Sequence, residues 1–345
     1  ASFFMPFIVK RKDGCVYYSD APPNDLLSVV LYFCGGEKWP DDTRKMGLTK
    51  RIKGRYAMEK IKIGCVISTY NNPEWLEKAL WGYMMQTRPA DEIIIADDGS
   101  DDETRKLIEQ YTGSLPLRHV WHEDKGFRKT KILNEALKAA TADYLIFTDQ
   151  DCIPRRDFVA THLRYACKGF FLSGGCFRLP MSISSEITRS DIAGGRPFRL
   201  SWLRARGLKY SFKCTKLTCR SFFASFMNAV TPARATWNGM NSSGWRSDLL
   251  VANGFDERMQ YGGEDRELGE RLCNAGIRSR QIRYSAVVLH LDHSRPYVNR
   301  EAWQRNDAIR QTTRKERLTR TAYGIEQGSD AYCARPQNER EAGSE

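Results

Sequence analysis

IKIGCVISTYNNPEWLEKALWGYM, residues 61–84, decides the fold. Its first ten residues are short, apolar and rich in β-branched side chains, the pattern of a buried strand. Asn72 then offers an N-cap, and Pro73 suits the first helical position, where a missing N–H costs nothing. Beyond them Trp75, Leu76, Ala79, Leu80, Tyr83 and Met84 recur at helical spacing. The unit then repeats. EIIIADDGS (92–100) reads as a second strand, and Ser100 with Glu103 makes a capping box for a helix running to Tyr111. LRHVWH (117–122) is a third strand, with a helix over 129–141. YLIFTDQD (144–151) is a fourth, with a helix over 154–166. Strands alternating with helices at this spacing predict an α/β fold, a parallel sheet covered by helices. Ligands in such sheets sit outside the carboxyl ends of the strands. Attention therefore falls on Ser68-Thr69-Tyr70-Asn71, Asp97-Asp98-Gly99-Ser100 and Asp149-Gln150-Asp151.

Asp149 and Asp151 flank one residue, so in an extended chain their carboxylates point the same way. Such a pair suits a hard cation, and it reads equally as a helix cap plus a turn before Pro154. Asp97-Asp98 has the same two readings. One acid satisfies the turn, and the other is left to accept a hydrogen bond from a ligand N–H. Glu264-Asp265, in YGGEDREL, open a predicted helix over 264–275, where the positive end of the helix dipole favours carboxylates. The two glycines before them let the backbone approach a ligand closely. A strand ending at His290 precedes His293, and the chain has five histidines in all, so two within four residues stand out.

Further out the alternation weakens. Residues 195–220 hold eight Lys or Arg and no acid, and read as a loop or short helices. Residues 295–320 hold eight basic and three acidic residues, and residues 1–63 hold twelve and seven. These stretches carry much of the net charge of +12, which points to an anionic partner. With 41% apolar and 28% charged residues in 345, bulk disorder is excluded. No apolar run approaches the ~20 residues that span a bilayer. The longest short one, 28–34, is strand length, and no signal peptide opens the sequence. Ten cysteines without a CxxC pair, three of them (Cys65, Cys152, Cys176) in or beside apolar strand-like runs, lead to the expectation of a reduced cytoplasmic compartment. No GxGxxG follows a strand, which argues against a dinucleotide-dependent dehydrogenase.

The ordered set ISTYNNPEWLEKAL, IIIADDGSDDET, DKGFRKTKILNEAL and YLIFTDQDCIP resembles the nucleotide-binding half of family 2 glycosyltransferases, whose fold is GT-A. The later NGMNSSGWRSDLLVANGFDERMQYGGEDRELGERL resembles the acceptor-side α+β module shared with galactosyltransferase-like and chondroitin-synthase-like enzymes. Together they cover about residues 61–294. The resemblance implies an N-terminal extension over 1–60, a Rossmann-like nucleotide-sugar half with helices on both faces over 61–166, and an acceptor-binding and catalytic half over 167–294. A basic helical segment and polar tail over 295–345 would follow.

By position, the resemblance implies that Ser68, Tyr70 and Asn71 hold the nucleotide base. Asp98 would accept the imide hydrogen of uracil, and Arg128 and Lys131 would contact the diphosphate. Asp149 would reach the ribose or donor sugar. Asp151 with His293, and His290 beside it, would ligate Mn²⁺ or Mg²⁺. Asp265 would be the base of an inverting transfer, Glu264 would orient the acceptor, and Asn241, Ser243 and Trp245 would border the acceptor pocket. The implied function is metal-dependent transfer of a hexose or N-acetylhexosamine from a UDP-sugar. The acceptor would be a hydroxyl of a cell-surface glycan, such as lipopolysaccharide or capsule, free or lipid-linked. The basic stretches fit a peripheral contact with an anionic membrane. Two alternatives remain at this stage. A nucleotidyltransferase on a similar sheet would also use paired acids and a metal, and a basic nucleic-acid-binding protein would explain the charge, although no zinc-finger, RRM or basic-zipper signature is present.

Overall fold

Side chains alternate between the two faces of a strand, and the central strands here are apolar on both, so each face demands its own cover. The computed structural model describes residues 16–19, 29–32, 61–219, 221–294 and 299–327. The chain divides into two units, Ala1–Lys60 and Ile61–Glu345. In the first, Val16–Ser19 pairs antiparallel with Val29–Tyr32; the rest of the expected extension lies outside the described residues.

The second unit runs β1 (Ile63–Thr69), α1 (Pro73–Met84), β2 (Glu92–Asp97), α2 (Asp102–Tyr111), β3 (Leu117–Trp121), α3 (Lys129–Ala139), β4 (Tyr144–Asp149) and β5 (Cys152–Pro154). It continues through α4 (Phe158–Tyr165), β6 (Phe170–Ser173), β7 (Gly175–Arg178), α5 (Ser221–Val230), β8 (Ser242–Trp245), α6 (Glu264–Asn274), β9 (Arg278–Gln281), β10 (Val287–His290) and α7 (Arg300–Lys315). Short helices fill much of the basic stretch between β7 and α5.

A seven-stranded sheet has the order β9-β6-β8-β4-β1-β2-β3. Its β4-β1-β2-β3 part is parallel throughout. Ile63, Cys65 and Ile67 of β1 pack on one face with Leu76 and Leu80 of α1, Ile108 of α2 and Phe158 of α4. Val66, between them, joins Ile132, Leu133 and Ala136 of α3 and Leu268 and Leu272 of α6 on the other. Helices therefore cover both faces, as the alternation predicts. The strand order reverses between β1 and β4, and this is the point at which open α/β sheets leave a crevice. A second sheet, β5-β10-β7, has its own apolar cluster, built on Ile153, Phe177, Val287 and Leu289.

Several expectations need correction. The predicted strand 144–151 ends at Asp149; the chain turns there and restarts as β5 in the second sheet. Pro154 therefore closes a strand, and the helix begins only at Phe158. The cap of α2 is Asp101, which accepts from the Thr104 N–H, because Ser100 Oγ is taken by the Asn71 N–H. By contrast Asn72 does cap α1, with Pro73 at its start. Strand β8, not anticipated in the weakly alternating region, inserts antiparallel between β4 and β6. The segment after 294 falls in the second unit. Helix α7 packs on α6, and Asn306 Nδ2 donates to the carbonyls of Gln260 and Gly262.

On α6 the buried pair Glu267–Arg271 ties the sheet cover together. The guanidinium bonds both carboxylate oxygens and the carbonyls of Ala252 and Gly254, while Thr313 of α7 donates to Glu267. Removing one member of such a pair leaves the other charged and unpaired, at a cost of about 3–5 kcal/mol. Glu267→Ala should therefore lower unfolding stability by that amount in urea titration, and an unchanged midpoint would show the pair to be dispensable.

Candidate active site

The register of β1 against β4 sets Ser68 opposite Asp149 at the switch point. Ser68 Oγ donates to Asp149 Oδ1 at 2.6 Å, and the Gln150 N–H donates to the Ser68 carbonyl at 2.9 Å. A cavity of about 620 Å³ opens above these strand ends. Ser68, Tyr70, Asp98, Lys129, Asp149 and Asp151 line it from the parallel half of the sheet. Glu264, Asp265, His290, His293 and Trp303 line it from the later half.

At one end, exposed Tyr70 lines the cavity and donates from its hydroxyl to Asp124 Oδ2. Asp98 is buried beneath. Burial pushes its carboxyl up, against the His122 imidazole at 2.7 Å and the Arg128 amide at 2.9 Å, which pull it back. Each carboxylate oxygen has two lone pairs, so Asp98 keeps accepting capacity for a ligand N–H.

In the middle of the cavity, four charges meet. Lys129, at the start of α3, places Nζ 2.6 Å from Asp149 Oδ1. Burial pulls this ammonium down, but the carboxylates of Asp149, Asp265 and Glu264 outweigh it and raise the group well above the usual lysine range. Gly262 and Gly263 have φ of +116° and +94°, a backbone open to glycine and strained for other residues. They turn the chain into α6, and the Gly262 N–H donates to Glu264 Oε2 at 2.8 Å. Burial pushes the Glu264 carboxyl up. Asp265 is more perturbed. Burial first, then the neighbouring Glu264 charge, raise it to about 7, with Lys129 opposing. Its Oδ1 is shut off from solvent with no hydrogen-bond partner among the described residues. A carboxyl that titrates near neutrality beside an open cavity is a candidate proton acceptor.

Asp151, His290 and His293 place one ligand atom each within 4.8 Å of one another. Asp151 Oδ2 lies 2.8 Å from His293 Nε2 and 3.5 Å from His290 Nε2. Each histidine's Nδ1 contacts a backbone carbonyl, of Leu291 and Ser294, at 2.7 Å. A carbonyl only accepts, so Nδ1 donates there and each ring is turned with Nε2 toward the carboxylate, where a cation would receive its lone pair. Orientation of imidazoles through the distal N–H is how proteins prepare metal ligands. Burial would raise the Asp151 carboxyl, yet the His293 contact and the two imidazole charges bring it below the usual range. The donor set fits a divalent cation.

The structure thus brings together Ser68, Tyr70, Asp98, Asp149, Asp151, Glu264, Asp265, His290 and His293. Other expected residues lie elsewhere. Asn241, Ser243 and Trp245 flank or form the buried strand β8 and do not line the cavity. Tyr144 O–H donates to Ser243 Oγ, which donates to His162 Nδ1, whose other nitrogen donates to Asn241 Oδ1. Burial lowers His162 to about 3, so it stays neutral. Trp245 stacks edge-on against Tyr144 in the core. Arg128 and Lys131 also stay outside the cavity lining. Arg128 contacts the Glu123 carbonyl, and the adjacent Lys129 is the inward-facing base. Asn71 braces the Asp101 amide through Oδ1. Lys129 and Trp303 were missed; a helical wheel over 129–139 places Lys129 one turn from buried Ile132 and Leu133, whereas nothing local marks Trp303.

Comparison with known proteins adds to this geometry. Residues 65–229 match the sequence profile of the family described as Glycosyl transferase family 2. The chain is 30% identical over 230 residues to the validoxylamine A glucosyltransferase of Streptomyces hygroscopicus subsp. limoneus, covering 62% of this chain and 48% of that one. It is 24% identical over 253 residues to the chondroitin synthase of Escherichia coli, covering 66% of this chain and 34% of that one. The chain spans about half the length, or less, of these curated relatives. Among solved structures, TarS of S. aureus matches with a TM-score of 0.50 at 16% identity, over 73% of this chain and 39% of that chain.

The Asp265 shift predicts a pH-dependent cost. Its folded value of about 7 exceeds its unfolded value near 4, so the folded state holds a proton that the unfolded state has released between those limits. Stability is lost as pH rises through this window. Asp265→Asn should melt with the parent at pH 4 and above it at pH 8, by thermal denaturation across pH. An equal offset at both pH values would contradict the shift.

Proposed function

Given that the chain carries a glycosyltransferase family 2 domain on the GT-A fold, we propose that it is an inverting, metal-dependent transferase. It moves a hexose or N-acetylhexosamine from a UDP-sugar to a hydroxyl of a cell-surface glycan. The observation that carries this reading is the meeting of Asp265, raised to about 7, with Lys129 and the Asp151–His290–His293 cluster in one cavity. A nucleotidyltransferase would use paired acids and a cation but has no need of a second, neutral-range carboxyl.

In this reading Tyr70 lies along the base and Asp98 accepts its imide N–H, a contact that favours uracil over cytosine. Lys129 holds Asp149 toward the ribose and balances part of the diphosphate charge. A divalent cation on Asp151, His290 and His293, Mn²⁺ more readily than Mg²⁺ given two imidazoles, would offset the charge building on the departing diphosphate. Asp265 takes the proton of the acceptor hydroxyl as that oxygen attacks the sugar from the face opposite the nucleotide, so no covalent intermediate is required. Glu264, held by the Gly262 amide, orients the acceptor. The aromatic line Phe127–Tyr261–Trp303 along the cavity, rather than Trp245, offers the faces on which an acceptor sugar ring packs.

A panel of nucleotide sugars read by UDP release tests the assignment. Release should require a UDP-sugar, disappear with EDTA and return with Mn²⁺; release from nucleoside triphosphates as pyrophosphate would overturn it. Asp265→Asn should lower kcat about 10²–10⁴-fold, the span expected for loss of a general base. The parent's kcat/KM should fall tenfold per pH unit below about 7, because the base is then protonated. Trp303→Ala should raise the acceptor KM more than the donor KM, and the reverse pattern would move the acceptor elsewhere.

A further inference from the structure

Helix α5 is built inside out. Its small and polar residues face the protein. Ala224 is buried with Cys219 and Tyr284, and Met227 packs against that cluster. Ser225 bonds the Tyr165 hydroxyl, and Asn228 bonds the Tyr284 N–H and Ser285 Oγ. Gln281 of β9 bonds the Asn228 carbonyl, so the helix is pinned to the fold along that side. Its aromatic residues face outward. Phe222 is 72% exposed, Phe223 54%, Phe226 49% and Val230 52%, with the Phe223 and Phe226 rings stacked on each other. Tyr210 and Phe212, just upstream, are also exposed. Phe222, Phe226 and Val230 are spaced by four, a single stripe of the helix. A surface helix of a soluble domain ordinarily shows the opposite arrangement, and contiguous exposed aromatic surface marks an interaction site.

The charge around this stripe is one-sided. No Asp or Glu occurs from 192 to 247, a stretch that holds ten Lys or Arg. Lys216, whose Nζ bonds the Cys176 carbonyl, lies within electrostatic reach of Lys213, Arg283 and Arg178. Arg178 in turn lines the active-site cavity. Basic groups therefore lie at the edge of the cavity, and the basic stretch continues along the chain into the aromatic helix. Ten helical residues span about 15 Å, half the hydrocarbon thickness of a bilayer, so such a helix lies along an interface and does not cross it.

We propose that the outward aromatic face of α5, with the acid-free basic stretch of chain that leads into it, is a docking surface for an anionic lipid bilayer. The rings enter the headgroup–acyl boundary while the cations meet lipid phosphates, the pairing by which interfacial helices bind. Docked there, the cavity edge at Arg178 is held near the membrane. Taken with the proposed transfer reaction, on which this last step rests, the arrangement favours an acceptor carried on a lipid.

Vesicle sedimentation of the full chain tests the surface without donor, acceptor or turnover, so it stands or falls separately from the transferase reading. The parent should sediment with phosphatidylcholine vesicles containing about one third phosphatidylglycerol, remain in solution with phosphatidylcholine alone, and be released near 1 M salt, where the Debye length is about 3 Å. Phe222→Ser/Phe223→Ser/Phe226→Ser should reduce vesicle binding at least tenfold. Its melting temperature and its UDP release with a soluble acceptor should match the parent. Absence of binding to anionic vesicles at low salt, or equal binding by the triple variant, overturns the proposal. So does a concentration-dependent dimer in light scattering that the triple variant abolishes, since that outcome assigns the face to a second copy of the chain.

Discussion

One ammonium group holds the site together. Lys129 comes from the first turn of α3, and the acids around it come from a strand end, Asp149, and from the start of α6, Glu264 and Asp265. Three carboxyl groups converging in a cavity would repel one another and resist burial. The lysine offsets that repulsion unequally. It sits directly on Asp149, while burial and the neighbouring Glu264 charge raise Asp265 to about 7 despite its pull.

The chain reaches this arrangement by leaving one sheet for another. Asp149 ends β4 of the large sheet, and Cys152 opens β5 of the small one. The three residues between, Asp149-Gln150-Asp151, therefore straddle the two. Asp149 faces Lys129, and Asp151 faces His290 and His293, which β10 and the loop after it bring alongside β5. Two acids two residues apart thus meet different neighbours. Helix α7 then closes the other side, its Asn306 gripping the Gly262 carbonyl and its Trp303 standing over that glycine.

Much of the sheet was legible because parallel strands buried on both faces leave a plain signal, short apolar runs ended by turn residues. Asp98, Asp149, Asp151, Asp265 and the histidine pair were legible because strand ends and helix starts are where an α/β sheet exposes chemistry. The failures share a cause. Asn241, Ser243 and Trp245 were placed beside an acceptor pocket by resemblance, yet Tyr144 and His162 hydrogen-bond Ser243 and Asn241, Trp245 packs edge-on against Tyr144, and all three are buried. Arg128 and Lys131 carry the same charge as Lys129, and only the turn of α3 decides which of the three faces inward. Trp303 lies nearly forty residues beyond Asp265, and no local pattern joins them.

The sequence by itself determined the α/β class, the switch point between β1 and β4, and the kinds of residue that gather there. Those depend on periodicity and on strand-end position, which are local. Tertiary structure decided which base enters the site, that β8 is core, that α7 forms a wall of the cavity, and that α5 turns its phenylalanines outward. These depend on which partners pack against each element, and contacts between residues distant in the chain leave no trace in local spacing. The +12 charge shows the same divide. Composition records the excess, and only the fold shows that an acid-free part of it leads into a helix with exposed aromatic residues.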